Sequence, residues 1–340
     1  MVLNLGIIGT GAIGRDHIER ISTVIQGAKI TGVFDILADA ANKAVADFKL
    51  DATVFSSEEE LIASKNVDAI LVCSKNDTHF SPIMKAIEAG KCVFTEKPMT
   101  TTEAESEQII DTEVAKKHRF VQVGFMRRYD PGYQALKKVI DAGEIGLPLL
   151  GNCRHYCAKA PTNYFTTEMV VNDSFIHEID ILHYLFNEDY QSIEMKFARP
   201  NTLNPAKKLR DPQLAIVTMK SGAIITVELN LNSQYGYDIQ CRIVGETGSV
   251  SLPEVQSTEI RKNGEITYPI HKDWSLRFVE AYNREIQAFV DQVTRFNTPA
   301  MPTAWDGYIA AVASDAAIRS QKEEKAIPVE LKKIPTIYQN

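Results

Sequence analysis

Leu5-Gly6-Ile7-Ile8-Gly9-Thr10-Gly11-Ala12-Ile13-Gly14 runs from an apolar strand through three glycines into a helix. Gly9, Gly11 and Gly14 have the spacing G-x-G-x-x-G, which is weak evidence by itself. Here the strand before it and the amphipathic stretch after it supply the context that the motif requires. Gly9 allows a tight turn, Gly11 lets the backbone approach a pyrophosphate, and Gly14 lets helix and strand pack closely. The helix opening at Ala12 and Ile13 offers free N–H groups to an anion. A second expected strand ends at Asp35, about 20 residues on, where a carboxylate can accept hydrogen bonds from ribose hydroxyls. Asp35 would repel a 2′-phosphate, and Ile36 follows it rather than arginine, so NAD is expected over NADP. Two blander readings compete: a glycine turn that binds nothing, and a methyltransferase-type G-x-G. The agreement of strand, glycines, helix and Asp35 favours the dinucleotide.

The pattern continues outward from this stretch. Apolar runs at 5–8, 29–34, 69–73, 92–95 and 120–123 alternate with helical stretches near 13–21, 37–48, 82–89 and 103–115. Strands nearly continuous in Val, Ile and Leu, alternating with helices, imply a doubly wound parallel sheet covered on both faces, a Rossmann α/β domain over 1–123. After Gly124 the pattern changes. A helix near 133–141, a strand at 149–156 and a helix over 173–186 precede strands at 214–219, 223–231 and 239–245. Turn signals mark this region at Ser221-Gly222, Thr247-Gly248 and Asn263-Gly264, the last being the strongest hairpin signal. Helices near 276–293 and 304–319 close the chain. The second part, 124–340, reads as an α+β domain with an antiparallel meander.

Composition bounds the possibilities. At 340 residues, two domains are expected. Hydrophobic residues at 44% and charged residues at 24% are ordinary for a globular chain. A net charge of −7 argues against a nucleic-acid partner, and Lys207-Lys208-Arg210 reads as a solvated loop. No apolar stretch is long enough for a bilayer and no signal peptide precedes the first strand, so a cytoplasmic location is expected. Cys73, Cys92, Cys153, Cys157 and Cys241 are odd in number and dispersed, as reduced thiols are. Cys153, His155 and Cys157 share one strand face, but a row of strand positions closes poorly around a tetrahedral metal, and no metal is expected.

Two further segments carry chemistry. Glu96-Lys97-Pro98 follows an apolar strand, so Lys97 sits at a carboxyl strand end, where open α/β sheets bind ligands. The polar loop from Ser74 through Asn76 to His79 follows another strand end and is placed to face ribose and nicotinamide. For His79, a plain helix-start role weighs about equally. Asp173, His177 and Asp180 are spaced i, i+4, i+7 and would share one helical face. Oxidising a secondary alcohol needs a base for the hydroxyl proton while hydride leaves the same carbon. Histidine suits that task near neutral pH. The roles expected are His177 as general base, Lys97 stabilising developing alkoxide, and Asp173 orienting both. Lys97 and His177 would have to meet beside the coenzyme ring. Three lookalikes are set aside. His177-Glu178 lacks the second histidine of H-E-x-x-H. Tyr133 and Lys137 mimic a short-chain dehydrogenase pair in the wrong half. Asn76 and Asn172 open sequons of no consequence in a cytoplasmic chain.

On Gly9–Gly14, Asn76–His79, Glu96-Lys97-Pro98 and Asp173-x-x-x-His177, the chain resembles the glucose–fructose oxidoreductase/inositol dehydrogenase/MocA family along nearly its whole length. The resemblance implies that Lys97, Asp173 and His177 are the catalytic set. It also implies that Lys97–Pro98 is cis, and that a large open, mainly antiparallel C-terminal sheet makes the contacts of a homotetramer. Gly124–Asp130, Asn172–Asp180 and Tyr235–Asp238 are similar to inositol 2-dehydrogenases within that family. By that likeness Met126, Arg127, His155, Asp180 and Tyr235 join Lys97, Asp173 and His177 around a polyol. Glu96 and Lys97 would also border the coenzyme. The activity implied is NAD-dependent oxidation of myo-inositol at C2 to the 2-keto inositol, in inositol catabolism. The alternatives are scyllo-inositol, a pyranose sugar, or a non-catalytic NAD-sensing regulator. Trp274 and Tyr282 are candidates to close the pocket.

Overall fold

Residues 3–8 are apolar but for Asn4, and 28–34 but for Lys29 and Thr31, which suits strands largely buried on both faces. In the computed structural model, which describes residues 2–160, 164–204, 206–253 and 258–339, they form β1 (Leu3–Ile8) and β2 (Ala28–Phe34). With β3 (Thr53–Val54), β4 (Ala69–Val72), β5 (Val93–Glu96) and β6 (Val121–Gly124) they build a six-stranded sheet in the order β3-β2-β1-β4-β5-β6. Each of its pairings is parallel. The order reverses between β1 and β4, the switch point where such sheets take ligands. The connecting helices are α1 (Ala12–Thr23), α2 (Ala38–Asp47), α3 (Glu58–Ala63), α4 (Phe80–Glu88) and α5 (Glu103–Lys116). β3 and α3 are too short to stand out in the sequence.

The Rossmann reading is borne out, but contacts divide the chain differently from a single break at 123/124. One compact unit comprises Met1–Met126, Tyr282–Ala311 and Lys332–Asn340; the other comprises Arg127–Ala281 and Val312–Leu331. The return of the C-terminal part has a packing cause. Ile286, Phe289, Val290 and Val293 of α8 (Val279–Phe296) enter the core formed by β1, β2, β4 and β5. Near the chain end, the Tyr338 hydroxyl donates to buried Glu113, which also accepts the Phe120 and Val121 N–H groups.

The other unit holds α6 (Pro131–Asp141), β7 (Pro148–Tyr156), α7 (Ile176–Phe186), β8 (Tyr190–Phe197), β9 (Gln213–Met219), β10 (Ile224–Asn230), β11 (Asp238–Gly245) and β12 (Ser249–Ser251). The hairpin β13 (Ile260–Lys262) and β14 (Glu265–Thr267) turns on Asn263-Gly264, both at positive φ, as a two-residue hairpin requires. Of the remaining elements, α9 (Ala304–Glu323) begins in the first unit, and β15 (Ile327–Pro328) completes a sheet ordered β12-β11-β7-β10-β9-β8-β15. This sheet is open and mainly antiparallel. It is not a simple meander, because β7 lies between β10 and β11 and runs parallel to β10. The alternation of burial in β9 and β11 marks strands covered on one face. That pattern sets which face is apolar; it carries no information about which strand is the neighbour.

Candidate active site

The glycines of the first unit divide the labour that their spacing suggests. Gly9 has φ +96°, and a Cβ there would lie 2.6 Å from the Ser74 nitrogen. A Cβ on Gly14 would lie 2.2 Å from the Gly9 carbonyl oxygen, so strand and helix approach closely at that point. Gly11 differs: a Cβ on it would meet nothing within 4 Å. The protein's own packing therefore does not demand glycine there, whereas close approach of a pyrophosphate does. Ala12 begins α1 on the exposed side and Ile13 is half-buried. Asp35 closes β2 with Oδ2 accepting from the Thr10 N–H at 2.7 Å and the Thr10 hydroxyl at 2.8 Å, and Oδ1 from the Leu37 N–H at 2.9 Å. It thus pins the glycine loop; the two Thr10 donors fill Oδ2, and Oδ1 keeps a second lone pair able to take a ribose hydroxyl. Ile36 is 90% exposed beside it.

This contrast gives a test. Gly11→Ala should leave the thermal midpoint unchanged and weaken NADH binding about tenfold or more, or about 1.4 kcal/mol. Gly9→Ala should lower both midpoint and affinity. Unaltered NADH titration of Gly11→Ala, read by fluorescence, would contradict the pyrophosphate assignment.

The loops after β4 and β5 are braced by His79. Its ring is buried, with Nδ1 2.8 Å from the Pro98 carbonyl oxygen and Nε2 3.1 Å from that of Ser74. Burial holds its pKa below the usual imidazole value. Both ring nitrogens face protein carbonyls, so the structural role, rather than a cofactor contact, fits the side chain. Ser74 accepts from the Thr78 hydroxyl at 2.8 Å and Asn76 is half-buried. Lys97, half-buried, follows β5 through a cis bond to Pro98. Glu96 is buried, and its carboxylate is taken by His17 at 2.7 Å. Tyr282 lies in the same unit, with its ring against His17 and Arg20. Trp274 belongs to the other unit.

In that second unit a buried polar cluster forms around Glu178. Its Oε1 accepts from Arg127 Nη1, and its Oε2 lies 2.9 Å from His155 Nδ1. Arg127 Nη2 is 3.2 Å from the same His155 nitrogen. Burial alone would raise the Glu178 carboxyl, but Arg127 and His155 outweigh it and hold the group below its ordinary value. An ionised Glu178 is the stronger acceptor, so His155 presents Nδ1–H to it and keeps Nε2 as an acceptor. The His155 ring sits 6.2 Å, centroid to centroid, from His177, and Tyr237 meets it edge-on at 5.9 Å. His177 is buried in the first turn of α7.

The expected single helical face is modified. Val170–Phe175 forms a π-helical turn before α7, so Asp173 lies off the 3.6-residue stripe of His177 and Asp180. Such turns concentrate at functional sites. Asp173 is half-buried, and its charge adds to the burial that pushes the Cys157 thiol up to about 12. Asp180 turns elsewhere: both its oxygens accept from Arg128, at 2.6–3.1 Å, under a guanidinium that also covers Tyr184. A carboxylate so paired anchors Arg128 and is a poor candidate for a polyol contact. Tyr235 also departs from the group. Its hydroxyl donates to Asp238 at 2.6 Å and its ring packs on Tyr156. Tyr156 and His155 are adjacent on β7 and point to opposite faces. Met126 is buried in the short turn after β6.

Sequence reasoning missed Glu178, Arg128, His17 and Arg20. Glu178 was in view as half of a metal motif that fails and inside the Asn172–Asp180 stretch, with no role given to it in either, although it follows His177 directly. His17 and Arg20 were legible as polar residues on the inner face of α1, at i and i+3.

Comparison with known proteins agrees with this geometry. Residues 3–125 match the Gfo/Idh/MocA profile described as an oxidoreductase family with an NAD-binding Rossmann fold, and residues 137–331 match its C-terminal alpha/beta domain. An inositol 2-dehydrogenase of Klebsiella pneumoniae is 45% identical over 338 residues, covering 99% of each chain. An inositol 2-dehydrogenase/D-chiro-inositol 3-dehydrogenase of Shouchella clausii is 42% identical over 340 residues, covering 100% of this chain and 98% of the relative. The crystal structure of myo-inositol dehydrogenase from Lactobacillus casei, in complex with NAD(H) and myo-inositol, aligns over 100% of both chains with a TM-score of 0.97 and 40% identity. With the glycine loop, Asp35 and both domain matches in agreement, the chain belongs to the Gfo/Idh/MocA oxidoreductases and binds NAD.

Proposed function

We propose that this protein oxidises myo-inositol at C2 to the 2-keto inositol. The observation that carries the reading is the full-length likeness to the Lactobacillus casei enzyme, which holds NAD(H) and myo-inositol. The buried Arg127–Glu178–His155 cluster beside His177 supports it. NAD, when bound, supplies the hydride acceptor. Gly11 and the start of α1 would hold the pyrophosphate, and Asp35 the adenosine ribose. His177 takes the hydroxyl proton from the alcohol being oxidised, and the ammonium of Lys97 stabilises negative charge developing on that oxygen. Asp173 orients the pair. Arg127 as a donor and His155 through its acceptor Nε2, both held by Glu178, place further ring hydroxyls, and a donor beside an acceptor suits vicinal diols.

Rates of NADH formation with myo-inositol, scyllo-inositol, D-chiro-inositol and glucose, run with NAD and with NADP, test this. Myo-inositol with NAD should be oxidised fastest. The name of the Shouchella clausii relative makes D-chiro-inositol the expected second substrate. A clear preference for glucose would defeat the substrate assignment. NAD binding without turnover of any polyol or sugar would favour a regulator.

A further inference from the structure

We infer that His17, which has no part in the chemistry above, is a positioning residue for Lys97. The inference rests on the reading of Lys97 as a group that acts on the substrate oxygen. The starting observation is that Glu96, the last residue of β5, is buried at 5% exposure immediately before Lys97. A buried carboxylate needs donors. Glu96 has the His17 Nε2 at 2.7 Å on Oε1 and the Lys97 N–H at 3.3 Å on Oε2.

The direction of the first bond follows from a third residue. Arg20 Nη1 lies 2.8 Å from His17 Nδ1. A guanidinium can only donate, so Nδ1 accepts and the imidazole proton sits on Nε2, aimed at Glu96. Arg20 is itself held at three points. Nη2 donates to Asp16 at 2.7 Å, Nε donates to Asn283 at 2.9 Å, and the guanidinium lies 5.0 Å over the Tyr282 ring. The His17 ring is fully buried between Phe94 and Tyr282, meeting both edge-on. Gly124 on the neighbouring strand completes the cradle, because a Cβ there would come within 3.3 Å of the Glu96 Cα and carboxyl carbon.

The chain Asp16–Arg20–His17–Glu96 therefore links two functional elements of one unit. At one end is α1, whose first turn follows the glycine loop; at the other is the strand end that presents Lys97. An error of about 1 Å in such a placement costs on the order of 10²-fold in rate. A buried ionic chain is not in itself a route to stability, since well-packed apolar side chains often serve as well. Alignment is the use for it that the geometry supports.

The test compares His17→Gln with His17→Asn, using whichever polyol or sugar the unmodified protein oxidises fastest. Glutamine places its side-chain N–H near the position of Nε2 and keeps the donor to Glu96. Asparagine is equally polar but reaches only the position of Nδ1. Thermal midpoint, NADH affinity, KM and kcat are measured for each. The expected result is two folded proteins that bind NADH within about threefold of the unmodified one. His17→Asn should then lose roughly 10²-fold in kcat, with His17→Gln recovering most of it. Equal kcat for the two variants, or losses confined to midpoint and NADH affinity, would overturn the inference. If His17→Asn does not fold, His17→Gln must still retain kcat near that of the unmodified protein; a large loss there overturns it too. An unmodified protein that binds NADH and oxidises no polyol or sugar would instead sink the proposed function, and this inference with it.

Discussion

His177→Ala will reduce kcat by roughly 10²–10⁴-fold, the usual contribution of a positioned general base, while NADH still binds. The expectation comes from where the side chain sits. His177 is buried at the start of α7, just after the π-helical turn that carries Asp173. The nearby His155 is fixed by an ionised glutamate. A histidine in that setting is placed by its neighbours rather than by its own flexibility, which is what proton transfer at a defined atom requires. NADH affinity should change little, because the glycine loop and Asp35 belong to the other unit. Steady-state turnover with myo-inositol and a fluorescence titration with NADH separate the two effects. Near-normal kcat in this variant would remove His177 from the mechanism.

The second large effect concerns stability. Glu178→Leu will destabilise the protein by about 3–5 kcal/mol, because it leaves the buried Arg127 guanidinium without its carboxylate. Arg127 is only 1% exposed and its remaining neighbours include the rings of Tyr133 and Phe278, which do not replace a full negative charge. The acid side offers an independent check. Glu178 is held below its ordinary value in the folded protein, so the stability tied to its ionisation is present above the unfolded value of about 4.3 and is lost as pH falls through the lower folded value. The stability advantage of the unmodified protein over Glu178→Gln should therefore be full near neutrality and shrink as pH drops below about 4. Urea midpoints for both proteins across that range would show it. A Glu178→Leu protein with an unchanged midpoint would mean that Arg127 finds another anion and that the cluster is misread.

The Rossmann half was nearly transparent in the sequence because its signals are local. Gly9, Gly11, Gly14 and Asp35 sit at spacings set by one turn and one βαβ unit, and each is where that arithmetic places it. The open sheet was legible as strands but not in its order, since the insertion of β7 between β10 and β11 depends on contacts far apart in sequence. The same limit applies to the site. Asp180 has the right spacing from His177, yet Arg128, more than fifty residues earlier, takes both its oxygens. Tyr235 is close in sequence to Tyr237, which packs on His155, yet it belongs to the opposite sheet face. Glu178 and His17 matter through partners that no short motif contains.

The most direct test uses myo-inositol carrying deuterium at C2, with NAD and the unmodified protein. Mass spectrometry of the reduced coenzyme should find the label transferred, one deuterium for each 2-keto inositol formed. Unlabelled NADH with the deuterium retained in the product, or no reduced coenzyme at all, would contradict the account.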